Sequence, residues 1–161
     1  STSSDLKLSD GKWTVYMKEA ADSDTMKVKL EATVTNGAYE FTSGEMSISM
    51  DMEKAYEESG MPESTIENFK NMSDEEKNAL LDDDMIPEGW KASWDGLTLN
   101  MEGPLSADEL AGMKKNLNLD SLPDDAEIKT NAGKTKYTIN ISFTGEDGTT
   151  TNMEIIAVKN N

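Results

Sequence analysis

The 161-residue chain carries 15 lysines against 32 acidic residues, a net charge of −17, and has no cysteine, histidine, arginine or glutamine. These absences remove the thiolate nucleophile, the usual neutral-pH proton shuttle and the planar cation that grips phosphate. The charge turns away nucleic-acid backbones and anionic lipid headgroups, and no stretch nears the roughly 20 apolar residues of a membrane span.

A single domain over residues 11–161 is expected at this length, behind a polar leader over 1–10. The run Ser1-Thr2-Ser3-Ser4-Asp5 suits the tether behind the lipidated N-terminus of a bacterial lipoprotein. The first third reads as strands. Trp13, Val15 and Met17 alternate with Thr14, Tyr16 and Lys18, and Met26, Val28, Leu30, Ala32 and Val34 alternate with polar residues. Asn36-Gly37 then predicts a two-residue hairpin turn that sets Val34 opposite Tyr39 and Ala32 opposite Phe41. The return strand continues as Met46, Ile48, Met50 and Met52. Its phase slips by one residue near Ser43-Gly44, which predicts a bulge there.

Residues 53–84 read as a helical insertion. A charged turn ends at Gly60, Pro62 opens a second, and Ser73 with Glu76 forms a capping box ahead of Ala79, Leu80 and Leu81. Asp82-Asp83-Asp84 opposes the helix dipole, so the helix is expected to fray there. A second hairpin follows, with Asp95-Gly96 as its turn and Trp94–Leu97, Ala92–Leu99 and Trp90–Met101 as its pairs. A short helix is predicted over 106–117, capped by Ser106 and Glu109, with Leu105 and Leu110 as a hydrophobic staple and Leu110, Met113 and Leu117 as its apolar stripe. The last third is a meander. Ala126 and Ile128 lead to a turn at Asn131-Ala132-Gly133, and Tyr137, Ile139, Ile141 and Phe143 alternate along a strand. A three-residue loop at Glu146-Asp147-Gly148 then pairs Ile141 with Met153, Ile139 with Ile155 and Tyr137 with Ala157.

The fold class expected is β-rich α+β: about eight antiparallel strands in a meander-like sheet or barrel, a helical insertion and a second short helix.

Candidate chemistry is sparse. With 32 acids some carboxylate pairs must meet in any fold, so pairing alone does not argue for glycosidase chemistry. No S-x-x-K or G-x-S-x-G motif is present, and Asp82-Asp83-Asp84 places Pro87 where a calcium loop needs glycine. No metal or cofactor is expected. Met50 and Met52 sit at strand period beside Met46 and Ile48, so packing accounts for them without soft-metal ligation. Trp90 and Trp94, roughly 13 Å apart along one strand face, suit either a stacking platform or a core.

Gly11-Lys12-Trp13 at the start of the first strand resembles the G-x-W signature of lipocalins and related calycins. That resemblance implies a barrel with a small apolar ligand in its mouth and Trp13 closing the base; the arginine that lipocalins stack over this tryptophan has no counterpart in a chain without arginine. The function expected is that of a non-enzymatic, extracytoplasmic bacterial protein, secreted or lipid-anchored at the cell surface, which binds a small apolar ligand or a cell-surface partner. Its alternative is a protein–protein interaction module, an adhesin or an acidic inhibitor of a basic target. The ligand-lining candidates are Trp13, Met46, Met50, Trp90, Trp94 and Tyr137, each on the apolar side of its strand.

Overall fold

The structure, a computed structural model, describes residues 6–21 and 24–160. The elements run β1 (Gly11–Ala21), β2 (Asp24–Thr35), β3 (Ala38–Asp51), α1 (Met52–Glu58), α2 (Glu63–Asn71), α3 (Asp74–Ala79), β4 (Lys91–Asp95), β5 (Thr98–Pro104), α4 (Ala107–Asn116), β6 (Glu127–Thr130), β7 (Lys136–Thr144) and β8 (Thr150–Lys159). Eight antiparallel strands form one sheet in the order β4-β5-β3-β2-β1-β8-β7-β6. The sheet is open, with β4 and β6 as its edges; of the two architectures expected it is the sheet and not the barrel.

The first and last strands lie side by side at the centre, Trp13 opposite Lys159 and Val15 opposite Ala157. Alternation places Trp13, Val15 and Met17 on the same face as Val28, Leu30 and Ala32 of β2 and as Ile155 and Ala157 of β8, all of them buried. The core then extends outward through Tyr39 and Phe41 on one side and Ile139 and Ile141 on the other. Segment 117–126 and α4 cover it with Leu117, Leu119 and Leu122. The Tyr39 hydroxyl pins that cover, accepting from Leu119 N at 3.2 Å and donating to Leu117 O at 3.4 Å.

The folded part begins before Gly11. Leu6 and Leu8 are buried in the core, and Leu6 N donates to Leu119 O at 3.0 Å. Two leucines at strand period give residues 6–8 an apolar side worth covering; residues 1–5 of the expected leader lie outside the described residues. Asp10 is also structural. Its carboxylate accepts from the amides of Asn36 and Gly37, both at 3.0 Å, and so caps the first hairpin turn.

That turn has positive φ at Asn36 and Gly37, and Val34 faces Tyr39 while Ala32 faces Phe41 as the sequence predicts. The register shift follows at once: Glu31 faces Ser43 and Ala32 faces Phe41, so Thr42 is the extra residue. The slip brings Gly44 beneath α4. A Cβ there would lie 2.7 Å from Leu30 Cδ2, 3.0 Å from Leu105 Cδ1 and 3.2 Å from Leu110 Cδ2. Leu105 N donates to Gly44 O at 2.9 Å, so α4 enters directly on the bare backbone. Its capping box, Ser106 with Glu109, is formed. The β7–β8 pairs also match expectation, with Gly148 in the left-handed region at the loop. At the β6–β7 turn the positive φ belongs to Lys134 and not to Gly133.

The second hairpin departs from expectation. Asp95 faces Thr98, Trp94 faces Leu99 and Ala92 faces Met101, so every partner moves by two residues and the turn centres on Gly96-Leu97. Gly96 has φ +61 at the first central position, the requirement of a type II′ turn. A shift of two preserves every face, which is why alternation alone does not detect it. The insertion also differs at its end. Helix α3 stops with Leu80 as its C-cap, and Asp82 caps a new 3₁₀ turn over Asp83–Met85, accepting from Asp84 N at 3.0 Å. The aspartates start an element there instead of fraying one.

Replacing Gly44 with Val should force α4 away from Leu30 and cost about 1–3 kcal/mol, read as a lower urea midpoint with an unchanged denaturant slope. Acid should also weaken the fold. Backbone N–H donors hold Asp10, Glu109 and Asp147 below the ordinary carboxylate range: Gly37 and Asn36 for Asp10, Ser106 for Glu109 and Thr149 for Asp147. Stability from a depressed carboxylate is present above its unfolded value and is lost as pH falls through the folded one. The urea midpoint should therefore fall below about pH 4, and Asp10→Asn should flatten that fall.

Candidate functional site

Of the six residues expected to line one pocket, five fall in three separate places and Met50 stands apart from them. Trp13 is fully buried, its indole Nε1 donating to Ser9 O at 2.8 Å. Tyr137 packs at 6.0 Å from its ring, and Lys159 Nζ stands over the same ring at 6.0 Å. This pair belongs to the central core. Met50 is half-buried near the end of β3, opposite Leu99.

Trp94 belongs to a satellite cluster that docks the insertion on the β4–β5 hairpin. Its ring meets Phe69 of α2 edge-on at 5.1 Å, and Phe69 meets Tyr56 of α1 at 6.2 Å. Polar bonds from α3 finish the join. Trp94 N donates to Asn78 Oδ1 at 2.6 Å and Gly96 N to Asp74 Oδ1 at 3.0 Å. Lys77, only 1% exposed, donates to Gly96 O at 2.8 Å, with Asp74 at 3.7 Å and the Phe69 ring at 5.6 Å. A buried ammonium needs such partners, and here they are the turn backbone that the register shift creates. The bond of Asn78 to Trp94 N also blunts the exposed edge of β4.

Met46 and Trp90 do meet. They line a surface groove of about 430 Å³ with Ile48, Met101, Pro87, Pro104 and Leu105, and with Glu88, Ser106 and Glu109 at its rim. Strands β3 and β5 supply the floor, Ile48 directly opposite Met101. One wall is a turn closed by Trp90 N donating to Pro87 O at 3.0 Å, with Gly89 at φ +83. The other wall is the entry to α4. The shifted register of the second hairpin sets Trp90 against Gly103, where a Cβ would overlap the indole ring. The glycine leaves the space in which the ring lies flat on β5, and Trp90 Nε1 donates to Pro104 O at 3.0 Å. Glu109 is fixed at the rim by its capping bond from Ser106 N at 2.9 Å.

Of this lining, Ile48 and Met101 escaped the sequence reading although their alternation was plain. With Trp90 paired to Met101 the strand face looks filled; with Trp90 over Gly103, Met101 is freed toward Ile48 and Met46. Pro87, Glu88 and Glu109 carry no signal in sequence that ties them to this floor.

The opposite face of the sheet is polar. Two further cavities, of about 430 and 740 Å³, are lined by Lys18, Lys27, Lys29 and Lys91 among Ser47, Ser49, Ser93, Asn100, Glu45 and Glu102, and they share Met46, Pro104, Ile48 and Met101 with the groove. Among the described residues no three acidic side chains converge as a metal site would require, and no helix is long and apolar enough to cross a membrane. No protein-family model, no curated protein and no solved structure matches the chain.

The Lys77 bond gives a direct test of the docking. Lys77→Ala should cost about 2 kcal/mol, since it strips the turn carbonyl of its partner and removes a buried stem. Hydrogen exchange should speed up over residues 63–80 and the β4–β5 hairpin while the central strands stay protected.

Proposed function

We propose that the protein is a non-enzymatic binding protein that takes a small apolar ligand in the groove between Trp90 and α4. The observation that carries this reading is the groove itself. Its volume falls in the range of small-molecule sites, and its floor and walls are Met46, Ile48, Met101, Trp90, Pro104 and Leu105. Methionines repack at little cost, so two of them in a floor suit ligands of varied outline. A glycine under Trp90 holds the indole as a flat wall instead of letting it fill the space.

Among the described residues the exposed large apolar side chains are Tyr16, Leu80, Met85 and Phe143, on separate elements. A lipocalin-like ancestry is part of the proposal and rests on Gly11-Lys12-Trp13 and the strand count. The family's arginine over the tryptophan is absent, a lysine, Lys159, stands over Trp13 instead, and the sheet is open.

The test is titration with a neutral apolar dye such as N-phenyl-1-naphthylamine. Trp13 and Trp94 are buried, so the half-exposed Trp90 is the indole that can sense it. Saturation at one site with a change in Trp emission is expected. Gly103→Ala, which dislodges Trp90, should weaken binding about tenfold or more. An absence of saturable binding would end this reading.

A further inference from the structure

We infer that the groove selects a cationic amphiphile, a molecule with an apolar body and an ammonium-type head, over a neutral or anionic one. The inference rests on the groove being a ligand site and adds the chemical class.

The first observation is the composition of the rim. An apolar floor is bordered by two carboxylates, Glu88 and Glu109, and by no lysine. The two come from different elements, the turn after the insertion and the first turn of α4, so they stand on opposite walls. The lysines that line neighbouring cavities, such as Lys27 and Lys29, alternate to the other face of the sheet, although those cavities share Met46, Ile48, Met101 and Pro104 with the groove.

The second is the state of Glu109. One carboxylate oxygen, Oε1, accepts from Ser106 N at 2.9 Å, which holds the group in place and leaves Oε2 for a ligand. The backbone bond keeps its pKa below the ordinary value. The N-terminus of α4 is already occupied by its own capping box and offers no seat for an anion.

The third is the surrounding field. Residues 52–89, which end in the groove wall, hold twelve of the 32 acids and three of the 15 lysines. An approaching cation is steered toward this side and an anion is turned away. Trp90 adds a ring face of the kind that attracts ammonium groups. An apolar tail on Met46, Ile48 and Met101 would leave a head at the rim, where both carboxylates line the groove.

The test compares three probes of equal chain length below their aggregation limits: decyltrimethylammonium, decanol and decanoate, each followed by Trp emission. At low ionic strength the cation should bind about tenfold more tightly than decanol, and decanoate more weakly than both. The preference should vanish at about 0.5 M salt. It should also vanish in Glu88→Gln/Glu109→Gln, where glutamine still completes the capping box, so α4 keeps its start without the charge. Equal binding of cation and decanol overturns the inference and leaves the apolar-ligand reading standing. A preference that survives the double substitution also overturns it, because the rim would then not be its source. Failure of all three probes to bind ends both.

Discussion

One face of the eight-stranded sheet is apolar along its whole width, and water has to be kept off it. Burying such a face supplies most of the folding free energy, at roughly 25 cal/mol per Å². Two separate covers do this work. Helix α4 with segment 117–126 lies over the strands from β3 to β7, and α1–α3 close the β4–β5 end through Trp94 and Phe69. Between them Met46, Ile48 and Met101 are only partly covered. The groove is the seam between them, and its position follows from where each cover is anchored.

Both anchors depend on glycines that bring backbone close to something large. Gly44 admits Leu105 and Leu110 onto β3, and Gly103 admits the Trp90 ring onto β5. Each lies on the apolar side of its strand, where a side chain would fill the space the cover or the ring now occupies. The bulge at Thr42 sets Gly44 on that side, and the type II′ turn at Gly96-Leu97 sets Gly103 opposite Trp90. Two local backbone features thus decide the walls of a site 40 or more residues from either chain end.

Charge follows the same division. The open sheet face mixes Lys18, Lys27, Lys29 and Lys91 with Glu45, Glu102 and Glu154, so it is close to balanced. Most of the acidic excess lies on the helices and turns. Part of it sits in first turns, where the helix dipole favours it, as Asp74, Glu75 and Glu76 do in α3 and Asp108 and Glu109 in α4, whereas Glu57 and Glu58 end α1 against its dipole. The excess is compatible with these helix starts and gives the groove its negative surroundings.

Alternation and turn chemistry in the sequence were enough for the eight strands, the first and last hairpin registers, both capping boxes and the bulge near Gly44. Those features are local: the period of two, a pair of residues with φ above zero, and a serine three positions before a glutamate. The register of the second hairpin was not legible. Asp95-Gly96 and Gly96-Leu97 both make good turns and leave every face unchanged, and the choice is made by α3, whose Asp74, Lys77 and Asn78 bind the turn and edge backbone from outside. The site was legible only in part for the same reason. Periodicity places Met46 and Trp90 on the apolar side, as it does Trp13, Trp94 and Tyr137, but it cannot say which of them a cover will reach. That depends on pairings between residues far apart in the chain. Tertiary packing buried Trp13 and Trp94, left Met46 and Trp90 at an open seam, and brought Glu88 and Glu109 to its rim.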